Sequence, residues 1–275
     1  MDQKDRPLLV GAQAGEPNGV LIWRTIRQYF IERGVPLDYA LFSTYDALDA
    51  ALLSGAIDIA WNAPLAHART LLRSGGACRT LAMRDTDREV ASVILARADA
   101  PIASLSDLRG KRVAFGPPDS SELSIIPKHQ LRQAGLDPES DCELVTLEPR
   151  ESPGGARGVD VLTIIAAVED ETVDAATLFE PAFRLLVERG QLDPAAYRIV
   201  WRSRPFSHCG FAARPGLPDA VAQRFVGVLA SMDPAEPEIK EMMRLEHLSA
   251  WVPADDAGWQ DLINAIKDAE LVGSS

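Results

Sequence analysis

The side chains best placed to do chemistry lie in a few short stretches. Ser120-Ser121 opens a helical run. Two hydroxyls and the unpaired N–H groups of a helix start can grip an anion, helped by the helix dipole; plain N-capping by Asp119 or Ser120 is the simpler use. Trp61-Asn62 ends an apolar run that reads as a buried strand. Strand ends of this kind face ligands in α/β sheets, so Trp61 could floor a pocket and Asn62 offer both a donor and an acceptor. Equally, both could close a core strand. Phe179-Glu180 ends a second such run. Glu180 either meets a ligand amine or hydroxyl, acts as a base, or steadies the first turn of the helix that Pro181 opens. Arg84-Asp85-Thr86-Asp87 ends a third strand and is either a turn facing a cleft or a solvated one. Tyr45 is either a cleft residue or a surface helix cap.

Ser207-His208-Cys209-Gly210 combines an imidazole with a thiol. Neighbours on a strand point to opposite faces, so direct activation of Cys209 by His208 is not expected. The expectation is a buried, inert Cys209 and a hydrogen-bonded His208 that can touch a ligand. His67 and His129, on helices, read as surface or interface residues. Cys78, Cys142 and Cys209 form no CxxC pair, and no histidines stand at HxxxH or HExxH spacing. No metal site is therefore expected. GxxxxGK[ST] and GxGxxG are absent too, and no cofactor is expected.

Elements must position these groups. The 275 residues are 47% hydrophobic and 25% charged, which excludes wholesale disorder and permits one large domain or two lobes. With 28 Lys plus Arg against 40 Asp plus Glu, the net charge of −12 argues against nucleic acid. No apolar run approaches the roughly 20 residues of a membrane span. Met1 to Pro7 has no apolar stretch behind its charges, so no secretory leader is read. A cytoplasmic protein is expected, or a periplasmic one whose leader has been removed.

Strands and amphipathic helices alternate along the chain. Strands are expected at 7–12, 37–42, 57–62, 78–83, 90–95, 113–115, 143–147, 175–179, 197–201 and 207–212. The helix over 19–33 has Val20, Trp23, Ile26 and Phe30 on its apolar side, and others span 46–53, 64–72, 121–133, 159–169 and 181–189. From Leu217 onward three helices and no further strand are expected. This is α/β alternation, in mainly parallel sheets covered by helices. Ala51–Ala60 also echoes Ala167–Ala176: a helix end, a tight turn, then a strand opening apolar-Asp-x-Ala. Read as a repeat, it implies two lobes of one plan.

Several stretches carry a family likeness. Tyr45-Asp46-Ala47-Leu48 with Ala51 to Trp61, the run Ser106-Asp107-Leu108-Arg109-Gly110-Lys111 to Gly116 with Asp119-Ser120-Ser121, and Trp201 to Pro205 resemble the phosphonate/phosphite/phosphate-binding proteins of ABC transporters. These belong to the type 2 periplasmic-binding-protein superfamily. The resemblance implies two α/β lobes joined by two hinge crossings: lobe 1 from 1–92 plus 208–275, lobe 2 from 93–207. A small anionic or zwitterionic solute is clamped in the cleft by hinge closure, an ABC permease is a partner, and there is no membrane insertion. Tyr45, Trp61, Asn62, Asp85, Thr86, Ser120, Ser121, Glu180 and His208 would line the site, with Ser120, Ser121 and Thr86 on the anion. Two departures stand out. The leader is absent, and Pro153-Gly154-Gly155 to Gly158 lies where members often carry a His-Glu pair. Cytoplasmic enzymes share the scaffold, so the alternative is a lyase or decarboxylase of a small carboxylic acid with His208 or Glu180 as acid or base.

Overall fold

The computed structural model describes residues 6–15, 18–147, 150–151, 157–158 and 160–272. The contacts divide the chain into two compact units: unit 1 up to Arg88 plus Ser207–Ile263, and unit 2 over Glu89–Phe206 plus the chain from Asn264.

The first part of unit 1 runs β1 (Leu8–Gln13), α1 (Gly19–Glu32), β2 (Leu37–Phe42), α2 (Tyr45–Leu53), β3 (Ile59–Asn62), α3 (Pro64–Arg73) and β4 (Arg79–Arg84). In α1 the buried stripe is Ile22, Trp23, Ile26, Tyr29 and Phe30. Val20, expected on that stripe, is exposed. At 100° per residue it lies nearly opposite Ile22. Thr44 caps α2 by accepting from the Ala47 N–H.

Unit 2 follows with β5 (Ser92–Arg97), β6 (Arg112–Phe115), a π-helical turn (Ser121–Ile125), α4 (Ile126–Gln133), α5 (Pro138–Asp141), β7 (Glu143–Thr146), β8 (Arg150–Glu151), β9 (Arg157–Gly158), α6 (Val161–Glu169), β10 (Ala175–Phe179), α7 (Glu180–Glu188) and β11 (Tyr197–Arg202). The single helix expected over 121–133 is thus a π-turn feeding an α-helix. Of the Gly/Pro-rich stretch, the ends β8 and β9 pair as a short hairpin, while Pro153-Gly154-Gly155 lies outside the described residues. The chain then returns to unit 1 as β12 (Gly210–Ala213), α8 (Asp219–Ala230), α9 (Pro237–Leu245) and β13 (Trp251–Pro253), and ends in α10 (Gln260–Val272). β13 corrects the expectation of helices alone after Leu217. It is three residues long and pairs at the sheet edge, where Pro253 is tolerated.

Unit 1 is built on a six-stranded sheet of order β13-β4-β12-β3-β1-β2, and unit 2 on a five-stranded sheet of order β11-β5-β10-β6-β7. Both are mixed. β1 runs parallel to β2 and β3, and β6 parallel to β7 and β10, whereas β12 and β5 run antiparallel to both their neighbours. The antiparallel share is larger than simple alternation implies, because β5 and β12 are the strands on which the chain enters one unit and re-enters the other.

The echoed aspartates turn out to do one job twice. Asp58, just before β3, accepts the Leu9 N–H at 3.0 Å and the Arg6 and Arg214 guanidiniums. Asp174, just before β10, accepts the Arg112 N–H at 2.9 Å and the same residue's guanidinium. In each unit a carboxylate at a strand start thus fastens the start of the parallel strand beside it.

His67 and His129, expected at the surface, are both buried. His67 Nε2 lies 2.8 Å from Thr80 Oγ1, whose hydroxyl donates to Asp256. Its ring also packs on Trp259 with centroids 4.3 Å apart. Burial pushes the imidazole down to about 4, only partly offset by the Asp256 carboxylate. The unfolded chain, with the ordinary value of 6.5, therefore takes up this proton first as pH falls. Unit 1 is expected to lose about 3 kcal/mol on this account as pH falls from about 6.5 to 4. Urea unfolding of the wild type and His67→Phe across that range checks it; curves that stay parallel would sink the assignment.

Candidate functional site

In unit 2 the carboxyl ends of β6 and β10 and the amino end of β5 reach one sheet edge. After β6 the chain passes Gly116 and two prolines to the π-turn. A π-turn leaves carbonyls that an α-helix would have satisfied, and such turns recur at functional sites. Here the Glu122 carbonyl accepts the Ser92 hydroxyl, and the Leu123 carbonyl accepts the Thr177 hydroxyl at 2.8 Å and the Gly116 N–H at 3.2 Å. Ser124 donates to the Gly116 carbonyl at 3.0 Å. A side chain at Gly116 would put its Cβ 2.5 Å from Leu123 Cβ, so only glycine allows the loop this close. Ser120 Oγ accepts from the Leu123 N–H. Ser121, buried, opens the turn with its hydroxyl unengaged among the described residues. The first N–H groups of the turn, at Ser121 and Glu122, have no preceding carbonyl to bond.

Glu180 reaches the same edge but is fully engaged. Its oxygens accept Arg184 and Arg202, each at 2.8 Å, and its carboxylate is buried. Both carboxylate oxygens are thus occupied by guanidiniums within unit 2.

In unit 1 the carboxyl ends of β1 to β4 and the amino end of β12 share one edge, with Gly210 opposite Asn62. Tyr45 stands there, exposed, on the first turn of α2. Trp61 packs on Phe211 at 4.6 Å and Trp251 at 5.5 Å, with the Arg84 guanidinium 5.3 Å over its ring. Asn62 is buried. Its Nδ2 donates to Thr70, which donates to Asp49, and its Oδ1 has no partner among the described residues. Asp85 accepts the Thr86 and Ser249 N–H groups, and Thr86 donates to the His247 carbonyl at 2.9 Å. Both therefore tie the turn after β4 to the segment before β13.

The turn is not merely solvated. Asp87 is buried and accepts Arg84 through both oxygens, at 2.5 and 3.1 Å. His208 Nδ1 lies 3.2 Å from Asp87 Oδ1 and 3.2 Å from Cys209 Sγ. The expectation that His208 and Cys209 point apart fails because both precede β12, in a bend without strand alternation. Burial alone would raise the Asp87 carboxyl; the His208 ring and the Arg84 guanidinium outweigh it and hold it below the usual value.

A family model described as "ABC transporter, phosphonate, periplasmic substrate-binding protein" matches residues 22–259. The chain belongs to this family. As a phosphonate-family substrate-binding protein it is 25% identical over 246 residues to the phosphate-import protein PhnD of Mycolicibacterium smegmatis, covering 83% of this chain and 74% of that one. Its fold is shared with PhnD1 from Prochlorococcus marinus in complex with methylphosphonate, at TM-score 0.66 and 17% identity, covering 96% and 98% of the two chains. XAC2383 from Xanthomonas citri bound to ATP has TM-score 0.71 and 19% identity, with 97% and 98% covered. Both confirm the two-sheet α/β fold of periplasmic-binding proteins. No helix among the described residues is long and apolar enough to cross a membrane. The signals that sequence reasoning missed are Ser92 and Thr177, whose hydroxyls become meaningful only once the π-turn frees carbonyls for them.

Proposed function

We propose that this substrate-binding protein takes a small tetrahedral oxyanion of the phosphonate, phosphite or phosphate class. The observation that carries this reading is the Ser120-Ser121 turn, which a buried Ser121 opens with its hydroxyl unengaged among the described residues. The Glu122 and Leu123 carbonyls are already satisfied by Ser92, Thr177 and Gly116. The unprotonated oxygens of such an anion accept, so N–H groups and a hydroxyl at a turn start suit them. Asn62, Asp85, Thr86, Glu180 and His208 each have hydrogen-bonding duties within their own units. In this reading an ABC permease receives the solute, and the protein works in the periplasm.

Calorimetry with inorganic phosphate, phosphite and methylphosphonate tests it. Ser121→Ala is expected to weaken binding of the preferred anion by at least about tenfold, roughly 1.4 kcal/mol, with unfolding unchanged. Unaltered affinity in that variant removes Ser121 from the site.

A further inference from the structure

The cluster at the amino end of β12 gathers a carboxylate, an imidazole and a thiol round one point. Asp87 Oδ1 and Cys209 Sγ both approach the same ring atom, His208 Nδ1, at 3.2 Å. A protonated Nδ1 suits the carboxylate and only weakly the sulfur, while a bare one suits the thiol hydrogen but faces a carboxylate lone pair. One occupant satisfies all three donors at once, namely a cation. We propose that Asp87, His208 and Cys209 form a binding site for a borderline-soft divalent metal ion of the zinc type.

The geometry supports three ligands of a tetrahedron. All three donor atoms lie within 4.8 Å of one another. Metal–ligand bonds of about 2.0–2.3 Å require tetrahedral edges of roughly 3.3–3.7 Å, a small outward shift from the observed spacing. The N, O and S donor set selects zinc-like ions over magnesium or calcium. The cradle is fixed. The His208 N–H donates to the Asp87 carbonyl at 2.9 Å, and Trp259 donates to the His208 carbonyl at 3.0 Å. Arg84 holds Asp87 from outside and is itself held by Glu246. Outer partners of this kind orient ligating carboxylates. Local charge agrees: Asp87 and Glu246 against Arg84 leave one net negative charge. Binding displaces the thiol proton to solvent and forms the metal–thiolate bond, with a fourth position left for water. The site uses no residue of the Ser120-Ser121 turn.

The test is titration of the metal-stripped full chain with Co²⁺, followed by competition with Zn²⁺. One Co²⁺ per chain is expected, with a thiolate-to-cobalt charge-transfer band and tetrahedral visible bands that Zn²⁺ abolishes. Cys209→Ser is expected to lose the charge-transfer band and to weaken Zn²⁺ binding beyond the roughly tenfold cost of losing an outer partner. Cys78→Ser and Cys142→Ser are expected to keep both. On the unmutated protein, Zn²⁺ is expected to protect Cys209 from iodoacetamide, read by peptide mass. No band in the wild type, a band that survives Cys209→Ser, or unchanged Cys209 alkylation each overturns the proposal.

Discussion

Asp58→Ala is expected to destabilise unit 1 by about 3–5 kcal/mol, the cost of leaving a buried ion partner uncompensated. The Asp58 side chain is 3% exposed and bonded to Arg6, Arg214 and the Leu9 N–H, so its removal strands a half-buried Arg214 and a strand-opening donor together. Asp174→Ala, at the equivalent place in unit 2, is expected to cost far less, since its pair with Arg112 is open to water. Burial would raise the Asp58 carboxyl, but the Leu9 N–H and the two arginines hold it below its ordinary value. A depressed carboxylate contributes stability above its unfolded pKa and loses it as pH falls through the folded one. The gap between wild type and Asp58→Asn should therefore narrow in acid. Urea unfolding of the variants at neutral and acid pH measures both effects, and equal losses at Asp58 and Asp174 would contradict the argument.

The second large effect lies in the aromatic core of unit 1. Phe211→Ala is expected to cost about 3–5 kcal/mol, the usual penalty for deleting a buried phenyl ring and leaving its cavity. Phe211 is fully buried and touches Trp23, Trp61, Phe225 and Trp251 at centroid distances of 4.6–6.2 Å. Denaturant unfolding gives the stability loss, and the emission of the three tryptophans should shift as their common neighbour goes. A loss below about 1 kcal/mol would mean that the site collapses freely.

Much of this architecture was legible because periodicity and punctuation act locally. The echo between Ala51–Ala60 and Ala167–Ala176 marked two strands, β3 and β10, that hold matching places in the two sheets, and its aspartates proved to be matching fasteners. The resemblance carried on Tyr45–Trp61 and Ser106–Ser121 was borne out by the family match. What escaped depends on neighbours far away in sequence. Val20 shares its helix with the buried stripe but lies nearly opposite Ile22, β13 is too short to show alternation, and His67 packs on Trp259, which arrives from the other end of the chain. The contact of His208 with Cys209 was hidden by reading a bend as strand. The π-turn had a signature that went unread: Pro127 has no N–H to offer the carbonyls of Glu122 and Leu123 behind it, and Ser92, Thr177 and Gly116 take them up.

The place of β12 has a consequence for synthesis on the ribosome. It sits between β3 and β4 near the middle of the unit 1 sheet, yet it is encoded after the whole stretch Glu89–Phe206. At about 5–20 residues per second, β3 and β4 wait on the order of 10 s for it to emerge. During that wait both present apolar, unpaired edges, the kind of surface that templates association between chains. Unit 2, largely one uninterrupted segment, can fold in the meantime. The stretch up to Arg88 is therefore completed only after most of unit 2 has been made, and it is the segment most in need of a holding chaperone.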